Sequence, residues 1–163
     1  MTRLIYYIIG VILLLFTQSC IEINDDQIPS YPVSINLSTA GYWQTYGVTS
    51  PGMYRVFNVG ERIPANYPYV ATSRTGFGGV LLVSDIYSGE PCAYDMSCPV
   101  ERRADVRIYV DESSYEAVCA KCGSHYDIMG GWGAPLSGKA VTNKVGLSRY
   151  RVVKMGAGYN VVN

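Results

Sequence analysis

The chain has no excess of either charge and no apolar run long enough to cross a bilayer. Its 13 basic and 13 acidic side chains cancel, so it lacks the positive surface with which proteins bind nucleic acid. The apolar run from Leu4 to Phe16 is shorter than the roughly 20 residues of a transmembrane helix. Its 48% hydrophobic residues, 15 tyrosines and 17 glycines are instead typical of a folded, turn-rich β domain.

The amino terminus has the layout of a signal peptide. Arg3 precedes the apolar run, and Thr17-Gln18-Ser19 leads from that run into Cys20. The end of the run resembles the lipobox of bacterial lipoproteins, in which small residues guide cleavage before a cysteine that is then acylated. The resemblance implies a signal peptide over residues 1–19 and lipidation of Cys20. An ordinary secretory signal with an incidental cysteine is the alternative.

A short polar segment follows the cysteine. Residues 20–30 show no sustained periodicity and contain Asp25-Asp26 and Pro29, which predicts a tether. The acidic pair resembles the export signal of surface lipoproteins in Bacteroidetes, with a solvated linker as the alternative. We therefore expect a protein that is lipid-anchored in the bacterial envelope, at the outer membrane, and that faces the periplasm or the cell surface.

Residues 31–163 are predicted to form one all-β domain, an antiparallel β sandwich. Alternating apolar and polar side chains in Pro32–Leu37 predict the first strand, and the cluster Ser38–Gly41 predicts a turn after it. Two apolar arms, Gly79–Val83 and Cys92–Asp95, flank a glycine-containing turn and predict a hairpin. Further strands are expected at Tyr54–Phe57, Tyr69–Ala71, Val106–Val110, Tyr115–Val118, Arg149–Lys154 and Tyr159–Val162.

Four cysteines remain after Cys20, with the spacing C-x5-C-x20-C-x2-C; they are Cys92, Cys98, Cys119 and Cys122. Two cysteines separated by two residues on a tight turn can converge on one metal ion. Thiolates favour zinc or iron–sulfur centres. Exported proteins, however, more often join paired cysteines in disulfides. The spacing alone leaves both alternatives open.

Residues 78 to 162 resemble a Rieske-type iron–sulfur domain. The predicted hairpin leads through Ala93-Tyr94-Asp95 into Cys98-Pro99, as in the first cluster loop of that family, and Cys119–Asp127 is similar to the second loop. The family's closing order of glycines, Gly-x-Pro and two last strands is matched by Gly130-Gly131, Gly133-Ala134-Pro135, Leu147, Tyr150–Val152 and Tyr159–Val161. The resemblance implies a Rieske-like architecture with site loops near 98–101 and 119–127.

The ligand positions depart from the family's pattern. A Rieske centre holds one iron by two thiolates and the other by two imidazoles. Val100 stands at the position of the first histidine and Cys122 at that of the second, while the only histidine of the chain is His125. A normal Rieske [2Fe–2S] centre is therefore not expected.

Several interpretations of the remaining thiols stay open. Cys98 can pair in a disulfide with Cys119 or Cys122, or the three can hold zinc or an altered iron–sulfur cluster. Cys119 and Cys122 can also cycle between dithiol and disulfide, or the thiols can be free remnants. We expect a disulfide or an empty site over bound metal. The candidates for a fourth metal ligand are Cys92, Asp95, Glu101 and His125.

These patterns predict a non-enzymatic function. We expect a membrane-anchored, Rieske-like module with a degenerate cluster site, derived from electron transfer or serving in binding, with an envelope protein as partner. The alternatives are a thiol–disulfide redox protein that uses Cys119 and Cys122, and a cysteine-ligated zinc or iron–sulfur protein. No catalytic residue is predicted.

Overall fold

The computed structural model describes residues 23–130 and 132–163, which form two antiparallel β-sheets and two short helices. The predicted signal peptide and Cys20 lie outside the described residues. The all-β, antiparallel prediction is confirmed. The strands are β1 (Val33–Leu37), β2 (Tyr54–Phe57), β3 (Arg74–Thr75), β4 (Val80–Ser84), β5 (Pro91–Asp95), β6 (Tyr109–Asp111), β7 (Glu116–Val118), β8 (His125–Asp127), β9 (Ala134–Ser137), β10 (Arg149–Met155) and β11 (Gly158–Val162), and the helices are α1 (Ala40–Tyr46) and α2 (Lys139–Asn143).

The larger sheet has seven strands in the order β2-β4-β5-β10-β11-β1-β3. The two edge strands of this sheet, β2 and β3, lie near each other. A hydrogen bond joins their ends: the backbone N–H of Val59, just after β2, donates to Thr75 Oγ1 of β3 at 3.2 Å. The seven-residue strand β10 pairs with β5 through Arg149 and Tyr150 and with β11 through Arg151–Met155. The sheet is therefore nearly closed.

Strand β4 is buried on both faces, which explains its unbroken apolar sequence. Val80 and Leu82 contribute to a core enclosed by the larger sheet. Leu81 and Val83 point to the opposite face and contribute to a second core. This alternation follows from the two-residue period of a strand, and it makes β4 the shared wall of the two cores.

The smaller sheet contains the strands β6-β7-β8-β9 in sequence order. It covers the outer face of β4 and β5 through buried side chains that include Ile108, Ala117 and Tyr126. Two connections of this part of the fold bear the cysteines: residues 96–108 join β5 to β6, and residues 119–124 join β7 to β8. The same core thus supports both candidate site loops.

Two local predictions were wrong. The segment Ser38–Gly41 is not a simple turn, because Thr39 caps α1 by accepting the N–H of Tyr42 on its hydroxyl at 3.2 Å. Tyr69–Ala71 is not a strand. There the N–H of Val70 donates to Ser73 Oγ at 3.0 Å and the N–H of Ser73 donates to Val70 O at 2.9 Å, so the backbone closes on itself in a turn.

The described part of the predicted tether is docked on the domain. The N–H of Asn24 donates to Lys144 O at 2.9 Å, and the N–H of Gly146 donates back to Asn24 O at 2.9 Å. Ile28 is buried with 7% of its surface exposed. Residues 24–28 are therefore part of the folded domain. Neither helix of the part of the chain that the structure describes is long and apolar enough to cross a membrane.

Candidate functional site

The first cysteine of the site lies in a loop that backbone hydrogen bonds hold closed. The N–H of Cys98 donates to Val106 O at 2.9 Å, and the N–H of Arg102 donates to Cys98 O at 2.8 Å. The Cys98 side chain is fully buried. This loop therefore presents one sulfur to the core from the β5–β6 connection.

The second loop presents two sulfurs from a tight turn. The N–H of Cys119 donates to Ser124 O at 3.0 Å, and the N–H of Gly123 donates to Cys119 O at 2.9 Å. Gly123 has a positive φ of 66°, a conformation in which glycine avoids the Cβ strain of other residues. Cys119 is fully buried and Cys122 is half-buried.

The two loops bring three sulfurs together. The Sγ atoms of Cys98, Cys119 and Cys122 all lie within 4.8 Å of one another, and the Cys98 and Cys122 sulfurs are 3.6 Å apart. Cys92, on β5, is not part of this cluster. No disulfide joins any of the four cysteines that the structure describes.

Two hydroxyl groups border the sulfurs. Ser124 Oγ accepts two hydrogen bonds, one from the Cys122 thiol at 3.2 Å and one from the N–H of Ala140 at 3.0 Å. Tyr126 Oη lies 3.7 Å from Cys98 Sγ. Both side chains are fully buried. The motif around Cys119 and Cys122 contains both residues, but the sequence analysis predicted no contact between either residue and sulfur.

The local environment gives the Cys98 and Cys122 thiols different pKa values. Burial raises the pKa of the Cys98 thiol to about 12. Burial also acts to raise the pKa of Cys122, but hydrogen bonds from the side chain and backbone of Ser124 and from the neighbouring thiols outweigh it and lower that pKa. Burial and the nearby Cys98 raise the pKa of the Tyr126 phenol. The half-buried Cys122 therefore loses its proton more readily than the buried Cys98.

The four candidates for a fourth ligand are engaged elsewhere or lie apart. His125 Nδ1 is 2.7 Å from Glu116 Oε2, and Glu101 forms an ion pair of 2.6 Å with Lys121. The Asp95 carboxylate accepts the N–H groups of Phe77, Gly78 and Ser97 and the hydroxyl of Tyr150. In the described chain the cluster contains three cysteines and no further histidine, aspartate or glutamate.

The donor set does not fit a Rieske cluster. Two imidazoles would have to reach the second iron, but Val100 offers no donor atom in the first loop. The single histidine, His125, is half-buried and binds Glu116 rather than joining the sulfurs. The site is a three-thiol cluster of a different kind.

The buried Asp95 carboxylate, at the end of β5, stabilises the backbone that leads into the Cys98 loop. Its carboxylate accepts the N–H of Ser97 at 2.7 Å and that of Phe77 at 2.8 Å, so it connects the segment before β4 with the start of the Cys98 loop. Asp95 is fully buried. The sequence left Asp95 open as one candidate for a fourth metal ligand, whereas in the structure its carboxylate is a hydrogen-bond acceptor that positions the backbone.

Comparison of the chain with models of known families, with curated proteins and with solved structures gave no match.

Proposed function

We propose that this protein is a lipid-anchored, Rieske-like domain of the bacterial envelope. Its degenerate cluster site binds a thiophilic divalent metal ion, and zinc is the ion that we expect there. The proposal depends on one observation: three cysteine sulfurs from two separate loops lie within 4.8 Å of one another. The proposed role is ion binding rather than catalysis. Thiolate sulfur is the ligand type that selects zinc and other thiophilic ions.

The spacing of the sulfurs supports metal binding. Zinc–sulfur bonds of about 2.3 Å at tetrahedral angles place two sulfurs about 3.8 Å apart, and the sulfurs of Cys98 and Cys122 are 3.6 Å apart. The turn from Cys119 to Cys122 provides two ligands, and the facing loop provides the third. Three protein ligands leave a fourth position for water or another small ligand.

Charge also supports a bound ion. Cys98 and Cys119 are fully buried, and isolated thiolates in such surroundings are unfavourable. Three thiolates with a divalent ion have a net charge of minus one, which is far less costly to bury than three uncompensated charges. Metal binding would therefore release protons and stabilise the fold.

Two further features support the Rieske-like and envelope parts of the proposal. The motifs shared with that family place Cys98 in one loop and Cys119 and Cys122 in another, and the sulfurs of those loops meet. The lipobox-like residues before Cys20 support anchoring. The ligand changes at Val100 and Cys122 imply that the module holds a single ion in place of the family's cluster.

Cobalt titration tests the metal site. The mature domain, reduced and stripped of metal, is titrated with cobalt(II), which absorbs visible light in tetrahedral thiolate sites. We expect saturation at about one ion per chain and displacement by zinc, because zinc prefers such sites. Metal analysis of protein purified without added metal measures what the site holds as isolated.

Cys92 provides the matched control, because it is a fourth thiol outside the cluster. Cys98→Ser, Cys119→Ser and Cys122→Ser should each abolish the thiolate–cobalt absorption, and Cys92→Ser should leave it unchanged. Folding of each variant is checked by circular dichroism. Failure of the folded wild-type protein to bind cobalt or zinc, or loss of binding only in Cys92→Ser, would contradict the proposal.

A further inference from the structure

The three sulfurs differ in their access to solvent. Cys98 and Cys119 are fully buried, whereas Cys122 is half-buried. The Cys122 sulfur is also in van der Waals contact with the Cys98 sulfur, 3.6 Å away on the other loop. One thiol can therefore be reached from solution, and a second lies directly behind it.

We propose that Cys98 and Cys122 form a reversible disulfide that excludes the metal ion, so that the thiol redox state of the surroundings controls the site. The inference depends on the proposed function, because it describes the regulation of the same three-cysteine site. Oxidation removes two of the three ligands at once, and the single remaining thiol, Cys119, cannot hold the ion.

The oxidant is a disulfide, and the exchange balances. The Cys122 sulfur attacks one sulfur of a small disulfide RSSR, which forms a mixed disulfide and releases one RS⁻. Cys98 then attacks the Cys122 sulfur, which forms the Cys98–Cys122 bond, and the Cys98 proton leaves with the second RS group as RSH. Two protein thiols are oxidised to one disulfide, RSSR is reduced to two thiols, and two of the three metal ligands are lost.

The loop geometry favours this pair over Cys119 and Cys122. The turn that contains Cys119 and Cys122 is closed by the hydrogen bonds from Cys119 N to Ser124 O and from Gly123 N to Cys119 O, and a bond from Cys122 to Cys98 leaves that turn as it is. The two loops are already held together by the ion pair between Lys121 and Glu101 at 2.6 Å. The two sulfurs, 3.6 Å apart, need to approach by about 1.5 Å to reach the length of a disulfide bond.

The experiment separates this inference from the proposed function. The mature domain is divided into a reduced sample and a sample treated with glutathione disulfide. Both are titrated with cobalt(II), and disulfides are mapped by mass spectrometry of peptides. We expect a Cys98–Cys122 bond and loss of the cobalt absorption after oxidation, with recovery of the absorption after treatment with a reductant.

Each sample has its own contradicting result. Absence of cobalt binding in the reduced sample contradicts the proposed metal site. If the reduced sample binds cobalt, three results in the oxidised sample would overturn the redox inference alone. These are a Cys119–Cys122 bond, the absence of any disulfide, and cobalt binding that is not diminished.

Variants sharpen the assignment of the pair. Cys119→Ser should still form the Cys98–Cys122 bond, which is read by mass spectrometry independently of metal binding. Cys98→Ser should leave Cys122 as a mixed disulfide with glutathione, because the attacking thiol is missing. Loss of the bond in folded Cys119→Ser, or a glutathione-free Cys122 in oxidised Cys98→Ser, would overturn the inference.

Discussion

At the scale of single residues, the most connected polar group of the described chain is the Asp95 carboxylate. It accepts hydrogen bonds from the N–H groups of Phe77, Gly78 and Ser97 and from the Tyr150 hydroxyl, and it is fully buried. A carboxylate that accepts several donors in the interior satisfies groups that would otherwise be left unpaired. The start of the Cys98 loop depends on this acceptor.

Replacement of Asp95 by asparagine should therefore be strongly destabilising. The amide has one acceptor oxygen, and its NH₂ group would face backbone donors, so we expect the free energy of unfolding to fall by about 3 kcal/mol. Tyr150→Phe, which removes one donor and leaves the carboxylate paired, should cost about 1 kcal/mol. Urea unfolding followed by circular dichroism measures both, and equal losses in the two variants would contradict this role of Asp95.

The sequence was informative about the cysteines and less so about their surroundings. Cys98, Cys119 and Cys122 could be grouped because the loop motifs around them resemble those of one family, and their sulfurs meet in the structure. The contacts of Ser124 and Tyr126 with sulfur depend on how β8 packs, which no local spacing encodes. For the same reason, sequence could not tell a ligand from a structural acceptor at Asp95.

At the scale of secondary structure, the cysteine turn is held against the β9–α2 junction. Gly138 precedes α2 with φ of 75° and ψ of −159°, a region of backbone conformation that is essentially restricted to glycine. A Cβ at this position would lie 2.6 Å from Gly123 O and 2.8 Å from Ser124 Cα. The junction and the cysteine turn therefore touch backbone to backbone.

Gly138→Ala should disturb the site through this contact. We expect a loss of about 3 kcal/mol in the free energy of unfolding, from backbone strain and from the displaced turn, together with weaker cobalt binding. Gly123→Ala is the matched control, because its Cβ meets nothing within 4 Å and only the positive φ costs about 1 kcal/mol. Cobalt titration and urea unfolding compare the two variants, and equal effects would show that the contact is unimportant.

Strand prediction succeeded where a core covers the strand, and it failed where pairing with neighbours that are distant in sequence determines the extended conformation. The apolar arms of β4 and β5 and the alternation in β1 were found because a core covers them. Strands β3, β8 and β9 were not predicted. They are two to four residues long and partly exposed, so their extended form depends on hydrogen bonds to neighbours that are distant in sequence.

At the scale of the whole molecule, the short distance between the predicted anchor and the domain limits the position of the protein. Asn24 is hydrogen-bonded to Lys144 and Gly146, so only residues 21–23 separate it from Cys20. Four residue steps span at most about 14 Å in an extended chain. A lipid on Cys20 would therefore hold the folded domain closer to the membrane surface than the predicted tether over residues 20–30 would.

Cys20→Ala should release the protein from membranes. The proposed acyl chains on Cys20 would supply the anchor, because several acyl chains bind a bilayer with about 0.8 kcal/mol for each buried CH₂ group. Cell fractionation with a high-salt wash should move the variant from the membrane pellet to the soluble fraction. Cys92→Ala, which removes a thiol of the folded domain, should stay in the pellet. A Cys20→Ala protein that is cleaved after its signal and still resists the wash would show that another feature holds the domain on the membrane.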